Sequence, residues 1–297
     1  MFFFRGREKR MVHMCDGEIA YLGPAGSFTH EAAAEFFCRK RQLTPMDREE
    51  LFAAYRTNAV SCACVPVATS IVGVVGVYMD EILKLEKVVI VGENNKFISY
   101  SLLGKNGALF DHVKTVVSHP VALEEAGSWL RRFLPDAVLE TAVSTSAAAK
   151  LVSERASLET AALGTQMAAE LYALEILASD IEKGPHNVTR FWMLGRKVPP
   201  PTGRDKTTFA ASLTDEGFDE MSMRFKTHDV RILNIYERPA GEAPGKRFYV
   251  FDVEGHLEEP HLADFLAGFP GFKVLGSYPC NSPEPGASAP LMGSGSS

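Results

Sequence analysis

Short apolar runs alternate with amphipathic stretches over the first two thirds of the 297-residue chain. Glycine, proline, serine or threonine bounds each run, as is typical of buried strands, and the stretches between them have helical spacing. Strands are predicted at residues 19–23, 61–67, 88–92, 97–103, 114–117 and 161–163. Helices are predicted between residues 27 and 37, 79 and 85, 119 and 133, 143 and 152, and 165 and 171. Repeated strand–helix units predict an α/β core with a largely parallel sheet.

The pattern changes after GRKVPPPTGRDK at 195–206, a linker-like segment with three prolines. The order that follows is strand, helix, strand, strand, helix, strand, which is the βαββαβ order of a ferredoxin-like unit. Its elements are predicted at 207–213, 218–227, 230–236, 247–254, 261–269 and 272–278. The predicted organisation is a domain at 17–198, a domain at 204–280, and flexible tails at 1–16 and 281–297.

Composition and charge argue against two classes, nucleic-acid binders and membrane-spanning proteins. The chain is 46% hydrophobic and carries a net charge of −6, which argues against a nucleic-acid binder because phosphate recognition needs clustered lysine and arginine. It has no apolar run of about 18 residues, the length that a membrane-spanning helix requires. The apolar stretch at the start is too short for a signal peptide, so a cytoplasmic location is expected.

The five cysteines are an odd number and include no CxxC pair. Cys62 and Cys64 are two residues apart in an apolar run and therefore share one strand face. Buried reduced thiols are the expected state, in preference to metal ligands.

Four turns follow predicted strands and offer hydroxyl and backbone N–H groups: GPAGSFT, PVATS, SHP and VSTS. In α/β sheets ligands gather at such strand ends, and helix N-termini attract anions. The turns therefore have two interpretations, ordinary helix caps or parts of a pocket for a small polyanion. In the first, His119 is only a turn residue.

The segment GPHNVTRFWML at 184–194 adds further candidate chemistry. In an extended strand Asn187 and Thr189 lie on one face, and Arg190 points to the other. Arg190 is either a surface cation or the charged partner of an anionic ligand.

Five motifs in this chain, IAYLGPAGSFTHEAA, VSHPVAL, STSAAA, AALGTQMAAELYAL and NVTRF, resemble prephenate dehydratase in order and spacing. The second half resembles the ACT regulatory domain of that family and ends in VLGSYP. The resemblance extends over roughly residues 18–280. It implies two α/β subdomains arranged as in periplasmic binding proteins, a ferredoxin-like ACT domain, prephenate as substrate, and neither a metal nor an organic cofactor.

The resemblance also implies roles for residues. Thr189 assists departure of the ring hydroxyl, and loss of water and carbon dioxide yields phenylpyruvate. Thr189 and Arg190 are the expected catalytic residues. The expected substrate contacts are Ser27, Thr69, Ser70, His119, Ser144, Thr145, Asn187 and Phe191.

The chain departs from the family where Glu-Asn-Ser is replaced by Ala68-Thr69-Ser70, and where Gln is replaced by Val121. Loss of these polar groups weakens acid assistance to the leaving hydroxyl, which is worth about 10²–10⁴ in rate. The favoured expectation is therefore a non-aromatising prephenate decarboxylase that feeds specialised metabolism. A conventional dehydratase and a non-catalytic module that binds small acids remain as alternatives.

The regulatory half keeps Gly217, Arg238 and Pro239 of the family's phenylalanine site, but Phe218 and Asp219 differ. Because a carboxylate beside an apolar ligand is costly to bury, weak or absent inhibition by phenylalanine is expected. In the alternative interpretation, Asp219 only stabilises the first turn of a helix. The domain is expected to support a homodimer or homotetramer.

Overall fold

A computed structural model describes residues 15–37, 41–181, 187–239, 245–269 and 271–280. Residues 1–14 and 281–297 of the predicted tails lie outside these segments. The described strands form three sheets. Two belong to the α/β part and one to the C-terminal part.

The first lobe is built on a six-stranded sheet in the order β2-β1-β3-β11-β5, with β4 paired to β3. The strands are β1 (Ile19–Leu22), β2 (Leu43–Met46), β3 (Cys62–Thr69), β4 (Gly73–Val74), β5 (Val89–Phe97) and β11 (Val188–Gly195). The predicted largely parallel sheet is wrong here. Only β1, β2 and β3 are parallel, because β11 re-enters antiparallel to both β3 and β5.

Three helices belong to this lobe: α1 (Phe28–Phe37), α2 (Arg48–Arg56) and α3 (Gly76–Lys84). The sequence prediction missed α2, although Asp47 and Glu50 form a capping box at its start. Helix α1 covers one face of the sheet, where Phe37 and Ala33 pack on Met193 and Phe191. Helices α2 and α3 lie on the other face with Trp192 and Leu194.

The second lobe has a five-stranded sheet in the order β10-β6-β9-β7-β8. The strands are β6 (Tyr100–Gly104), β7 (Thr115–Ser118), β8 (Val138–Thr141), β9 (Thr160–Gly164) and β10 (Glu175–Ile181). The helices are α4 (Pro120–Glu125), α5 (Gly127–Phe133), α6 (Thr145–Glu154) and α7 (Gln166–Tyr172), and residues 110–112 form one 3₁₀ turn. The single helix predicted up to residue 133 is divided at Ala126.

The two lobes face each other along the carboxyl ends of their parallel strands. Thr165, which follows β9, donates through Oγ1 to the carbonyl oxygen of Gly26 at 2.6 Å. Gly26 lies in the turn between β1 and α1. This arrangement fits the expected periplasmic-binding-protein-like pair of lobes.

The C-terminal part has the predicted βαββαβ order. Its elements are β12 (Asp205–Leu213), α8 (Asp215–Thr227), β13 (Ile232–Pro239), β14 (Arg247–Glu254), α9 (Pro260–Ala267) and β15 (Lys273–Pro279). The sheet is antiparallel in the order β13-β14-β12-β15. Residues 196–204, which join this part to β11, form neither helix nor strand.

One face of this sheet packs under α8 and α9 through Phe209, Phe225 and Phe265. The other face joins the core of the first lobe, where Val250 and Leu275 belong to the same cluster as Trp192 and Ile90. Gly276 permits the close approach, since a Cβ there would lie 2.3 Å from the Ile90 carbonyl oxygen. This apolar face of the C-terminal sheet is thus covered, at least in part, by the first lobe of the same chain.

The expectation of reduced thiols is wrong for Cys62. Cys62 is disulfide-bonded to Cys15, with a Cα–Cα separation of 5.9 Å. Cys15 is buried in the core of the first lobe and is therefore not part of a flexible tail. Cys64 does have a buried free thiol, and burial raises its pKa.

Candidate active site

Thr189 lies at the facing edge of the first lobe, on the surface that α1 covers. It pairs directly with Thr69 of β3 on one side and with Lys96 of β5 on the other. Residues paired in this way point to the same side of a sheet. On that side Asn94, two residues before Lys96, donates to the Ala32 carbonyl oxygen of α1 at 3.4 Å. Thr189 is 9% exposed and Phe191, on the same face, is buried.

Arg190 points to the opposite face, as the period of the strand predicts, but it does not face the space between the lobes. Its Nε donates to Glu93 at 2.8 Å, and one terminal nitrogen donates to Asp252 at 2.5 Å and to Tyr236 at 2.9 Å. The other terminal nitrogen contacts Glu93 at 2.7 Å and Tyr278 at 3.0 Å. All five guanidinium N–H groups are engaged. The expectation that this guanidinium holds a substrate carboxylate is therefore not met.

The contacts of Arg190 belong to a buried polar network between β11 and the C-terminal sheet. Lys206 contacts the other oxygen of Glu93 at 2.9 Å, and Thr208 donates to Asp252 at 2.6 Å. Burial raises the pKa of Asp252, but Arg190, Lys206 and the hydrogen bonds from Arg190 and Thr208 outweigh it and lower this pKa below its usual value. Removal of one member of such a network would leave an uncompensated buried charge, so the network connects β11 to the C-terminal sheet.

Residues 68–75 form a β-hairpin, not the predicted strand-to-helix cap. Strand β3 continues to Thr69 and turns directly into β4, and Val75 precedes α3 without a side-chain cap. Thr69 Oγ1 accepts from the Val72 N–H at 3.0 Å, and Ser70 Oγ accepts from the Val188 N–H at 2.9 Å. These hydroxyl groups fix the start of β11 and thereby the position of Thr189.

Ala68 pairs with Arg190 and lies on the same side of the sheet, away from Thr189. It is 7% exposed. The absence of a carboxylate at this position therefore changes the surroundings of Arg190. The interpretation that it strips a polar group from the substrate side stays a prediction, and this register does not favour it.

Four polar side chains cap helices at the facing edges. Ser27 accepts from the His30 N–H at 3.3 Å and Ser144 from the Ala147 N–H at 3.0 Å. His119 and Thr165 cap α4 and α7 in the same manner. Ser144 is thus the cap of α6, and Thr145 is its first helical residue.

Glu125 is a candidate that the sequence reasoning missed. Its Oε2 accepts from Asn187 Nδ2 at 3.0 Å and from the Tyr100 hydroxyl at 2.8 Å. Burial and then the Glu125 hydrogen bond raise the pKa of Tyr100. Tyr100 begins β6 and Asn187 precedes β11, so both residues lie where the chain passes from one lobe to the other. Glu125 therefore contacts the chain at both of these crossings between the lobes. Its spacing four residues after Val121, on one helix face, is the sequence signal that could have identified it.

Lys96 is a second missed candidate. Its ammonium contacts Glu35 at 2.6 Å and Glu31 at 3.2 Å, both on α1. Glu31 also accepts from the Met167 N–H of α7 at 3.1 Å and so connects the lobes. Burial lowers the pKa of Lys96, but Glu35 and Glu31 outweigh it and raise this pKa. The sequence signal that could have indicated this cluster is the four-residue spacing of Glu31 and Glu35, which places both carboxylates on one face of α1.

The remaining candidates lie elsewhere. Val121, at the second position of α4, is 52% exposed. Arg238 forms a bidentate pair with Asp80 of α3, with both contacts at 2.8 Å. Gly217 donates to the Thr214 cap of α8 at 3.1 Å, and Pro239 ends β13 opposite Arg247.

The described segments contain no group of three His, Cys, Asp or Glu side chains placed to hold a metal ion. In the same segments, every helix is too short or too polar to cross a membrane.

Comparison with known proteins relates most of the chain to proteins described as prephenate dehydratases. The family described as prephenate dehydratase matches residues 19–199. Prephenate dehydratase of Amycolatopsis methanolica is 32% identical over 255 residues, a match that covers 84% of this chain and 83% of that protein.

Two solved structures are similar over most of the chain. Prephenate dehydratase from Arthrobacter aurescens in complex with L-Phe has a TM-score of 0.80 at 28% identity, covering 92% of this chain and 93% of that one. GqqA, described as a novel type of quorum quenching acylase, has a TM-score of 0.78 at 25% identity, covering 88% and 97%. This chain belongs to the prephenate dehydratase family.

Proposed function

We propose that the chain is a lyase that acts on prephenate and is a conventional dehydratase forming phenylpyruvate. The observation that carries the proposal is the placement of Thr189. In a chain of this family, Thr189 lies at the facing edge of the first lobe, on the α1 side, and is paired across the sheet with Lys96. Threonine is the residue to which the family resemblance assigns assistance to the leaving hydroxyl.

The reaction is balanced without an external oxidant or reductant. The bond between the ring and its carboxylate breaks, carbon dioxide leaves, and the electron pair enters the ring. The carbon–oxygen bond of the ring hydroxyl breaks with its pair on oxygen, which takes up one proton and leaves as water. The ring becomes aromatic, and the product is phenylpyruvate.

The decarboxylase expectation receives less support than the dehydratase. The relatives reported above are named for dehydration, with one structural neighbour named as an acylase. The substitution at Ala68, which motivated the decarboxylase, faces Arg190 and not Thr189. Thr69 and Val121 also differ from the family's residues on or near the candidate site. Thr189 itself is retained.

The deciding experiment is incubation of the purified chain with prephenate, followed by NMR and ultraviolet spectroscopy. Phenylpyruvate with an aromatic spectrum supports the proposal. A hydroxylated, non-aromatic dihydro product would establish the decarboxylase, and binding without turnover the non-catalytic module. An N-acyl amide is tested in parallel, because hydrolysis of that compound alone would indicate acylase chemistry.

Thr189→Ala tests the assigned role. Removal of the assisting hydroxyl is expected to lower kcat by about 10²-fold or more. Thr57→Ala, at the exposed end of α2, is the control and is expected to keep wild-type activity. Equal activity of the two variants would exclude the role of Thr189.

Regulation by phenylalanine is proposed to be weak, although the Arthrobacter relative binds L-Phe. Arg238 is already paired with Asp80, and Phe218 packs against Tyr249 with ring centroids 4.6 Å apart. Isothermal titration with L-Phe tests this, and binding that inhibits turnover would contradict it. The proposed assembly is a homodimer or homotetramer, and light scattering of the purified chain decides it.

A further inference from the structure

We infer that Lys96 is a positioning residue for Thr189, donating to the Thr189 hydroxyl oxygen and directing its proton toward the departing ring oxygen. This inference rests on the proposed dehydratase function and extends it to a residue outside the recognised motifs. It answers a requirement of the chemistry, since threonine alone is a weak acid and needs a partner that orients it.

The register of the sheet brings the two residues together. Lys96 and Thr189 are direct partners in the antiparallel pair of β5 and β11. Direct cross-strand partners have Cβ atoms about 4.5–5.5 Å apart and share one face. The other partner of Thr189 is Thr69, whose hydroxyl already accepts from the Val72 N–H.

The hydrogen-bonding capacity of both groups fits this role. A lysine ammonium has three N–H donors, and Glu31 and Glu35 account for two of those of Lys96. Within the described residues the Thr189 hydroxyl has no hydrogen bond. One donor and one acceptor therefore remain on adjacent side chains of the same face.

The consequence for Thr189 follows from the valence of a hydroxyl group, which has one donor and two acceptor positions. When a cation donates to the oxygen, the O–H must point elsewhere and becomes a stronger donor. The free side of Thr189 is where the ring hydroxyl departs in the proposed reaction. Lys96 then acts through Thr189 and does not itself transfer the proton.

The carboxylates on α1 keep the ammonium in place and protonated. The Lys96 side chain is 16% exposed, so it is held between β5 and α1. Glu31 is also bonded to the Met167 N–H across the lobes. The position of the ammonium thus depends on the contact between the two lobes.

The experiment measures steady-state kinetics of prephenate turnover by Lys96→Met, Lys96→Arg and Lys114→Met. Lys114 is the matched control because it also forms a 2.6 Å ion pair with a glutamate, in the second lobe. Lys96→Met is expected to lower kcat about 10²-fold with KM changed by less than about threefold. Lys96→Arg keeps a cationic donor and is expected to stay within about tenfold of wild type. Lys114→Met is expected to match wild type.

A double variant tests whether Lys96 acts through Thr189. In the Thr189→Ala background, Lys96→Met is expected to lower kcat by less than about threefold further, because the residue it positions is gone. Additive losses would overturn the inference. So would a raised KM with unchanged kcat, which indicates a carboxylate-binding cation, or wild-type kinetics of Lys96→Met.

Lys96→Leu, which also lacks any N–H donor, replaces Lys96→Met if the latter does not fold, and the same criteria apply. The product formed by the wild type distinguishes failure of the proposed dehydratase function from failure of the role inferred for Lys96. If the wild type forms no phenylpyruvate, the proposed function fails and this inference with it. If the wild type forms phenylpyruvate and the Lys96 variants keep its kinetics, only the inference fails.

Discussion

Arg190 of β11 donates to Asp252 of β14 at 2.5 Å, and this contact joins the first lobe to the C-terminal sheet. Both side chains are almost fully buried. The residue that the sequence presents as a catalytic cation is therefore a structural connection, and the removal of either partner leaves a buried charge without compensation.

Arg190→Met is expected to destabilise the chain by about 3–5 kcal/mol, because Glu93 and Asp252 lose their buried partner. The measurement is the free energy of unfolding in urea. Arg231→Met is the control, since Arg231 pairs with Glu254 at 3.1 Å on the surface, where such pairs are worth about 0–1 kcal/mol. A similar small loss in both variants would show that the network contributes little.

The stability of the chain is expected to depend on the charge of Asp252 at acid pH. Its pKa is lower in the folded state than the value of about 3.9 in an unfolded chain. A lowered pKa means that the unfolded state binds the proton first, so this contribution is complete above about pH 4 and is lost as pH falls through the folded pKa. Unfolding free energies of wild type and Asp252→Asn are compared from about pH 7 to about pH 2. The difference between them should shrink below about pH 4, and a constant difference would contradict the assignment.

Glu125 is expected to matter for catalysis as the acceptor for Asn187 and Tyr100. Glu125→Ala leaves both donors unpaired at the crossings between the lobes, which is worth about 1–3 kcal/mol, so kcat/KM should fall about tenfold or more. Glu125→Gln keeps one acceptor oxygen and should remain within about threefold of wild type. Glu124→Ala, at the exposed neighbouring position, is the control. A loss in Glu125→Gln as large as in Glu125→Ala would show that the charge itself is required.

Restoring the family's acid by Ala68→Glu is expected to destabilise the chain without changing the product. The new carboxylate would lie beside Arg190, whose donors are all engaged, and next to the buried Glu93. A buried, poorly paired charge costs several kcal/mol. Val121→Gln, at an exposed site, should change stability by less than about 0.5 kcal/mol. Thermal unfolding and product analysis of both variants check this, and a shift of product in Ala68→Glu would place residue 68 at the site after all.

The sequence predicted most strands and helix starts of the α/β part because the signals are local. Ser27, His119 and Ser144 cap helices through N–H groups two or three residues ahead. The hairpin after Thr69 was misread because its hydroxyl groups resemble caps but bond to Val72 and to a strand more than a hundred residues later. The strands β8 and β10 were missed because their exposed residues lack the apolar run of a buried strand.

The sequence by itself determined that Thr189 and Arg190 point to opposite faces of one strand, because the side-chain period of a β-strand is two. Only the tertiary structure decided what each face contacts. The C-terminal sheet buries Arg190 and supplies Asp252 to neutralise it, while register with β5 places Lys96 beside Thr189. The physical reason is that a buried charge must be paired, and its partners come from strands far apart in the chain, which no local pattern encodes.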